Sequence, residues 1–251
     1  MIGKKSLILY RGPSLLDGSP IVAVAVWSKR NKKTGGMLQT YILADNGRDP
    51  MQAITDGSDS AVCGSCPHRG DPATGRGRSC YVIVSQGPLT VYRALMRGLY
   101  PVSAGPHEVE EIGRGRMVRL GTYGDPAAVP AIVWRSLVAH AAGWTGYSHQ
   151  WRAPVAADLR DLCMASADSE QEARDAVAAG WRYYRVRPIG SPADPLSEID
   201  CPSSRGVQCA DCGLCAGVSA GRAGARSVSI ELHGGSAILK HGARLIPTIS
   251  T

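Results

Sequence analysis

Four cysteines toward the end of the chain constrain this sequence more than any other feature. Seven residues separate Cys201 from Cys209, and two steps of two intervening residues lead on to Cys212 and Cys215. Consecutive C-x2-C steps are more typical of [4Fe–4S] ligation than of zinc, whose paired C-x2-C knuckles are usually well separated. Four thiolates are enough to hold either an iron–sulfur cluster or a zinc ion. A site with no open coordination position could also be purely structural and only hold the loop together. The spacing therefore predicts a metal-binding loop and leaves an iron–sulfur cluster and zinc open.

A second group of possible metal ligands lies in a stretch rich in Gly, Pro and Arg. Cys63 and Cys66 are separated by two residues, and His68 and Cys80 follow. Three cysteines and the histidine could close a zinc site, whereas three cysteines alone could hold a [4Fe–4S] cluster with one iron open to a substrate or cofactor. The last cysteine, Cys163, lies in an apolar segment and is expected to be a buried core residue.

Length and hydropathy exclude several classes of protein. The chain has 251 residues and is 44% hydrophobic, which excludes a disordered chain. Its longest apolar run, Ile21 to Trp27, is far shorter than the roughly 20 residues that span a bilayer, so no membrane association is expected. The pattern of a signal peptide is absent, which predicts a cytoplasmic protein of the host cell, where disulfides are disfavoured.

The charge of the chain favours an acidic partner. The net charge is +7, and the sequence pI is near 9.1. Nucleic acid is the simplest partner of that kind. A basic turn that ends in a glycine pair could follow a phosphate backbone, or could be a solvated hairpin tip. The candidate nucleic-acid-binding residues are Lys29, Arg30, Lys32 and Lys33 of this turn, with Arg119, Arg185 and Arg187.

Alternating strands and helices after residue 116 predict an α/β fold. The predicted strands cover 117–121, 144–149, 162–166, 181–187 and 227–232, and helices cover 127–142, 155–161 and 169–180 and begin again at Ser236. Four or more successive βα units suggest a barrel or partial barrel with Cys-rich metal-binding loops.

The first 116 residues are expected to contribute strands and the first cysteine loop. Strands are predicted over 21–27, 39–44 and 81–85, and a helix over 89–99. The whole chain, 1–251, is taken as a single domain in two parts, 1–116 and 117–251.

Polar residues follow several of the predicted strands. Asp125, His149 and Asp168 each lie at or shortly after the carboxyl end of one, and the carboxyl ends of parallel strands meet at one edge. Carboxylates and a histidine brought together in this way suit nucleophilic and acid–base catalysis, so these three are the candidate catalytic residues. The structural alternative for the two aspartates is a helix cap.

Several short segments resemble a family of uncharacterised phage and plasmid proteins. The resemblance covers the chain from about Leu16 to Val218. The segments are Asn31–Gly35, Cys63–Arg69, Ser79–Tyr81, Gly121–Pro126, Thr145–Trp151, Met164–Asp168 and the Cys201–Cys215 motif. The resemblance implies a mobile-element origin and a barrel-like fold. More distantly, the chain looks like phage proteins related to radical S-adenosylmethionine barrels, but it lacks their C-x3-C-x2-C pattern, which argues against S-adenosylmethionine as a cofactor.

Two functions of different classes follow. The first is a metalloenzyme, with iron–sulfur or zinc, that modifies nucleic acid. In a radical version, the cluster at Cys63, Cys66 and Cys80 would deliver an electron. In a base-exchange version, Asp125 or Asp168 would attack the anomeric carbon of the sugar, with His149 as acid or base. The alternative is a non-enzymatic module in which both cysteine groups hold zinc and basic loops bind DNA or a host protein.

Overall fold

The computed structural model describes residues 5–28, 31–218 and 225–233. The strands are β1 (Ser6–Pro13), β2 (Pro20–Trp27), β3 (Leu38–Ala44), β4 (Met117–Tyr123), β5 (Gly143–Ser148), β6 (Met164–Ala167), β7 (Tyr183–Arg187), β8 (Glu198–Asp200) and β9 (Ser227–Glu231). The helices are α1 (Pro50–Asp56), α2 (Ser60–Cys63), α3 (Gly87–Met96), α4 (Pro106–Gly113), α5 (Ala131–Val138), α6 (Glu170–Ala178) and α7 (Cys209–Cys212). Short 3-10 helices cover Pro126–Ala128, Pro154–Leu159 and Pro202–Arg205.

The strands of the described residues form one sheet in the order β1-β2-β3-β4-β5-β6-β7-β9-β8. The pairs β1–β2 and β2–β3 are antiparallel, and every later pair is parallel. Because β3 pairs with β4, the sheet continues from the first part of the chain into the second. The α/β class is therefore confirmed. Within the described ranges no pairing joins the edge strands β1 and β8, so the sheet is open and a closed barrel is not formed.

Two hydrophobic cores lie on opposite faces of this sheet. The neighbouring residues Met164 and Ala165 of β6 point to opposite faces, as successive residues of a strand do. Ala165 belongs to the larger core, which also contains Trp134 of α5. Met164 belongs to a smaller core with Cys201 and Cys215. The second cysteine loop therefore covers the face of the sheet that the larger core leaves open.

Local sequence explains where the elements differ from expectation. The helix predicted over 127–142 is reduced to α5, because Pro130 holds the preceding Val129 in an extended conformation and separates α5 from a 3-10 helix. The strand predicted over 81–85 is not formed. Val84 of that segment is buried in the larger core without pairing to the sheet. The helix expected from Ser236 lies outside the described residues.

No helix among the described residues is long and apolar enough to cross a bilayer.

Two buried arginines of β7 tie the end of the sheet together. The Arg185 guanidinium donates to both carboxylate oxygens of Glu198, at 2.6 and 2.8 Å, across the intervening strand β9. The Arg187 guanidinium donates one hydrogen bond to the Asp200 carboxylate of β8 and one to the Ser229 hydroxyl of β9. Because both guanidiniums are buried and engaged with carboxylates, neither lies at a surface that nucleic acid could contact, which corrects the expectation for Arg185 and Arg187.

The buried Arg185–Glu198 pair should contribute measurably to stability. We expect Glu198→Gln to lower the free energy of unfolding by about 3 kcal/mol, because it leaves a buried guanidinium without its counter-charge. Glu170→Gln is the matched control. Glu170 faces the same arginine at 3.7 Å but is 73% exposed, so its loss should change stability by less than about 0.5 kcal/mol. Urea unfolding of the two variants measures both values, and equal effects would contradict this account.

The same pair predicts a pH dependence. Burial alone would raise the pKa of Glu198, but the hydrogen bonds from Arg185 and from the Asp194 backbone outweigh it and lower that pKa. A carboxylate with a depressed pKa stabilises the fold above its unfolded pKa and loses that contribution as pH falls. The stability difference between wild type and Glu198→Gln should therefore be largest near pH 7 and shrink below about pH 4. A difference that grows on acidification would contradict the assignment.

Candidate functional site

The first cysteine loop, which carries Cys63, Cys66 and Cys80, is held against the end of β5 by hydrogen bonds to Gln150. Gln150 donates from Nε2 to the Cys63 carbonyl at 3.1 Å, and its Oε1 accepts from the Ser65 hydroxyl at 3.0 Å. A Cβ at Gly64 would lie 2.7 Å from the Gln150 side chain, and φ is +55° there, so only glycine allows this approach. The Gln150 amide thus fixes the position of the loop that carries the thiols.

An ion pair holds the middle of the same loop. The Asp59 carboxylate is buried and accepts a hydrogen bond from the Arg69 guanidinium at 2.5 Å. Arg69 follows His68 in sequence, so this pair anchors the chain next to a candidate ligand.

His68, His149 and Asp168 form one compact group. Oδ2 of Asp168 lies 2.9 Å from Nε2 of His68 and 3.6 Å from Nε2 of His149. The other ring nitrogen of His68, Nδ1, is 2.8 Å from the Ser79 hydroxyl. Within the described part of the chain, this is the group whose three possible ligand atoms all lie within 4.8 Å of one another. His68 therefore faces the carboxylate, whereas the sequence placed it with the cysteines.

Interactions with neighbouring side chains set the charges of this group. Burial alone would lower the pKa of His149, but its interactions with Asp168 and with the Cys66 side chain outweigh burial and raise that pKa well above its usual value. Burial would raise the pKa of Asp168, yet the two histidines outweigh it and lower that pKa. The arrangement therefore favours a protonated His149 beside an ionised Asp168.

The thiols of the first cysteine group adjoin this histidine pair. Cys63 interacts electrostatically with Cys66 and Cys80, and the charge of Cys66 acts on His149. Burial, together with the negative charges around it, raises the pKa of the Cys63 thiol well above its usual value. The first of the two cysteine groups predicted as metal ligands thus lies beside His149, one of the residues predicted as catalytic.

Asp125 is a structural residue of this site. Its buried carboxylate accepts hydrogen bonds from the Ser148 hydroxyl at 2.7 Å, the His149 backbone N–H at 2.8 Å and the Ala127 N–H at 3.0 Å. With its oxygens so engaged, Asp125 holds the backbone of His149 in place. It does not present a free carboxylate to a sugar carbon, which corrects its expected role as a nucleophile.

The second cysteine group packs against the opposite face of the sheet from the larger core. Cys215 lies close enough to Cys201, Cys209 and Cys212 for their charges to interact, and burial raises its pKa to about 12. The backbone N–H of Gly146 in β5 donates to the Cys215 carbonyl at 2.9 Å. All four thiols therefore occupy one region beneath the parallel strands.

Arg119 lies against these thiols. Its guanidinium is 5.4 Å from the ring centroid of Tyr147. Burial alone would lower the pKa of Arg119, but Tyr147, Cys209 and Cys215 outweigh it and raise that pKa. The cation therefore faces Tyr147 and the cysteine loop, and the expectation that Arg119 contacts nucleic acid stays a prediction.

The basic turn before β3 packs on the second cysteine loop. The backbone N–H of Cys209 donates to the Lys33 carbonyl at 3.2 Å, and that of Ala210 donates to the Thr34 carbonyl at 2.9 Å. Lys32 is exposed. The other two expected phosphate contacts, Lys29 and Arg30, lie outside the described residues.

Comparisons with known proteins identified no similar protein. The chain matches no family model, no curated protein sequence and no solved structure. The resemblance to phage and plasmid proteins stays a prediction.

Several residues that build the site were not singled out by the sequence. Ser148 and Gln150 flank His149, so their position at the carboxyl end of a predicted strand was a usable signal. Ser79, which contacts His68, carried no signal, because a hydroxyl in a loop is common.

The structural assignment of Asp125 can be tested against Asp168, which also directly follows a strand. Asp125→Ala leaves three buried donors without their acceptor, so we expect it to lower the free energy of unfolding by about 3 kcal/mol. Asp168→Ala removes a partly exposed group and should cost about 1 kcal/mol. Urea unfolding of both variants checks this, and an Asp125→Ala protein as stable as wild type would contradict it.

Proposed function

We propose that this protein is a metalloenzyme that modifies nucleic acid at the site formed by the first cysteine group and the His68–His149–Asp168 group. The observation that carries the proposal is the placement of the first cysteine loop beside the compact His68–His149–Asp168 group: Ser65, which lies between Cys63 and Cys66, hydrogen-bonds to Gln150, the residue after His149. Potential metal ligands and an acid–base pair therefore adjoin each other at the ends of adjacent parallel strands, where α/β enzymes place their active sites.

The chain's own residues supply the proton chemistry. Asp168 hydrogen-bonds to His68 at 2.9 Å and forms an ion pair with His149 at 3.6 Å, and it orients both imidazoles in this way. His149, whose pKa is raised, would hold a proton and donate it to a substrate atom, while its Nε2 faces Asp168. Because Asp168 anchors two histidines, we assign it to orientation rather than to attack on a sugar carbon, which favours base modification over base exchange.

The donor sets suit thiolate-bound iron. The consecutive C-x2-C steps from Cys209 to Cys215 are more typical of [4Fe–4S] ligation than of zinc, whose paired C-x2-C knuckles are usually well separated. Cys63, Cys66 and Cys80 would hold one cluster and Cys201, Cys209, Cys212 and Cys215 a second. Such clusters supply electron transfer and, where an iron is open, a Lewis-acidic position.

The proposal that the substrate is a nucleic acid rests on the net charge of the chain. The net charge of +7 favours a polyanion. The open sheet, taken as a partial barrel, would leave the carboxyl ends of its strands accessible to such a ligand.

Metal content tests the proposal directly. Protein purified without oxygen should be brown, with absorbance near 400 nm that bleaches on reduction, and should contain about eight irons per chain, four for each [4Fe–4S] cluster. Cys63→Ser and Cys80→Ser should each remove about half of the iron. Cys163→Ala is the matched control, because this buried thiol lies in the larger core and should leave the iron content unchanged.

The outcomes separate the two classes of function. A colourless protein with about two zinc ions per chain would overturn the redox-active metalloenzyme and favour a zinc-stabilised binding module. An equal loss of iron in Cys163→Ala would show that the loss reports misfolding rather than ligation.

A further inference from the structure

A cluster of three residues, of which Tyr81 and His233 are exposed and Lys33 is half-buried, lies beside the proposed active site. Lys33 of the basic turn, Tyr81 of the first cysteine loop and His233 after β9 come from distant parts of the chain. Nζ of Lys33 lies 3.1 Å from the Tyr81 hydroxyl and 2.9 Å from Nε2 of His233. The Tyr81 and His233 rings are 5.5 Å apart at 52°. We call these three residues the Lys33 cluster.

The hydrogen bonds of the Lys33 cluster fix which atoms can bind a ligand. Nδ1 of His233 faces the Glu231 carbonyl at 2.8 Å, and a carbonyl only accepts, so Nδ1 carries the proton. Nε2 therefore accepts from Lys33, whose ammonium only donates. Within the described residues Lys33 donates to Tyr81 and His233, which leaves one of its three N–H donors for an anion. The Tyr81 hydroxyl accepts from Lys33 and so retains its own proton to donate.

An aromatic face lies next to these donors. Tyr81 is 46% exposed, and Lys33 sits 4.4 Å from its ring centroid. A cation and two hydrogen-bond donors beside an exposed ring provide what a nucleotide needs: a stacking surface for the base and a charged contact for the phosphate.

The cluster is close to the acid–base group through a short piece of chain. Ser79 contacts His68, and Tyr81 is only two residues further on, so their Cα atoms lie at most about 7 Å apart. On the other side, the Lys33 carbonyl accepts from the Cys209 backbone, which joins the cluster to the second cysteine loop. The segment that carries Tyr81 is therefore continuous with the segment that contacts His68.

We infer that the Lys33 cluster binds one nucleotide of a single-stranded nucleic acid, with the base on the Tyr81 ring and the phosphate on Lys33. A base in a duplex is stacked on both sides and cannot offer its face to Tyr81, so the ligand is an unpaired strand. This inference rests on the proposed function, whose substrate it narrows from nucleic acid in general to a single strand.

Anisotropy of a labelled 12-nucleotide single strand, and of the same sequence as a duplex, tests the inference on the metal-loaded full chain. Wild type should bind the single strand more tightly. Tyr81→Ala should weaken single-strand binding about tenfold through lost stacking and change duplex binding less than twofold. Tyr81→Phe keeps the aromatic ring and should weaken single-strand binding less than threefold.

Removal of the positive charge of Lys33 provides a second test of the inference. Lys33→Gln should reduce the slope of log affinity against log salt by about 0.7 for the single strand. Arg174→Gln is the matched control. Arg174 is 65% exposed on α6, which packs on the larger core, so the same loss of one charge should leave the slope unchanged.

The failures of the two proposals are distinguishable. If wild type binds the single strand but Tyr81→Ala and Lys33→Gln bind equally well, this inference is overturned and the proposed function stands. Tighter binding of the duplex by wild type also overturns the inference alone. If wild type binds neither form at low salt, the nucleic-acid substrate of the proposed function fails, while the iron content still tests the metal centre.

Discussion

The buried carboxylate of Asp125 is the interaction on which the rest of the site depends. It joins the end of β4 to the end of β5 by accepting from Ser148 and from the His149 backbone. Its own N–H donates to the Val62 carbonyl at 2.6 Å, next to Cys63. One residue thus sets the spacing between two strand ends and the first cysteine loop. The cost of burying this carboxylate is offset by donors that are fixed by the backbone, which makes the geometry rigid.

The turn before β3 has a comparable role on the other side of the sheet. Its carbonyl groups accept from the second cysteine loop, while the Lys33 side chain reaches Tyr81 beside the first. The two cysteine groups are more than 120 residues apart in sequence, yet this turn contacts both. Because the proposed active site and the proposed nucleotide site share the segment Ser79–Tyr81, ordering of that segment would affect both.

The periodicity of the sequence, and the rule that the carboxyl ends of parallel strands meet at one edge of a sheet, predicted much of the fold and of the candidate site. The alternation after residue 116 located the parallel strands, and the residues that follow them, His149 and Asp168, meet as parallel strand ends should. The direction of a side chain is a tertiary property, so the engagement of Asp125 and the pairing of His68 with a carboxylate 100 residues away could not be predicted. Arg185 was misjudged because its partner strand β8 has only three residues and gives no periodic signal.

Anomalous diffraction at the iron edge from anaerobically grown crystals tests the central claim most directly. The claim is that the first cysteine group holds an iron cluster in contact with the His149–Asp168 pair. It predicts an iron peak among the sulfurs of Cys63, Cys66 and Cys80, within a few ångströms of His149, and a second peak within the loop of Cys201 to Cys215. A signal only at the zinc edge, or no metal beside His149, would contradict it.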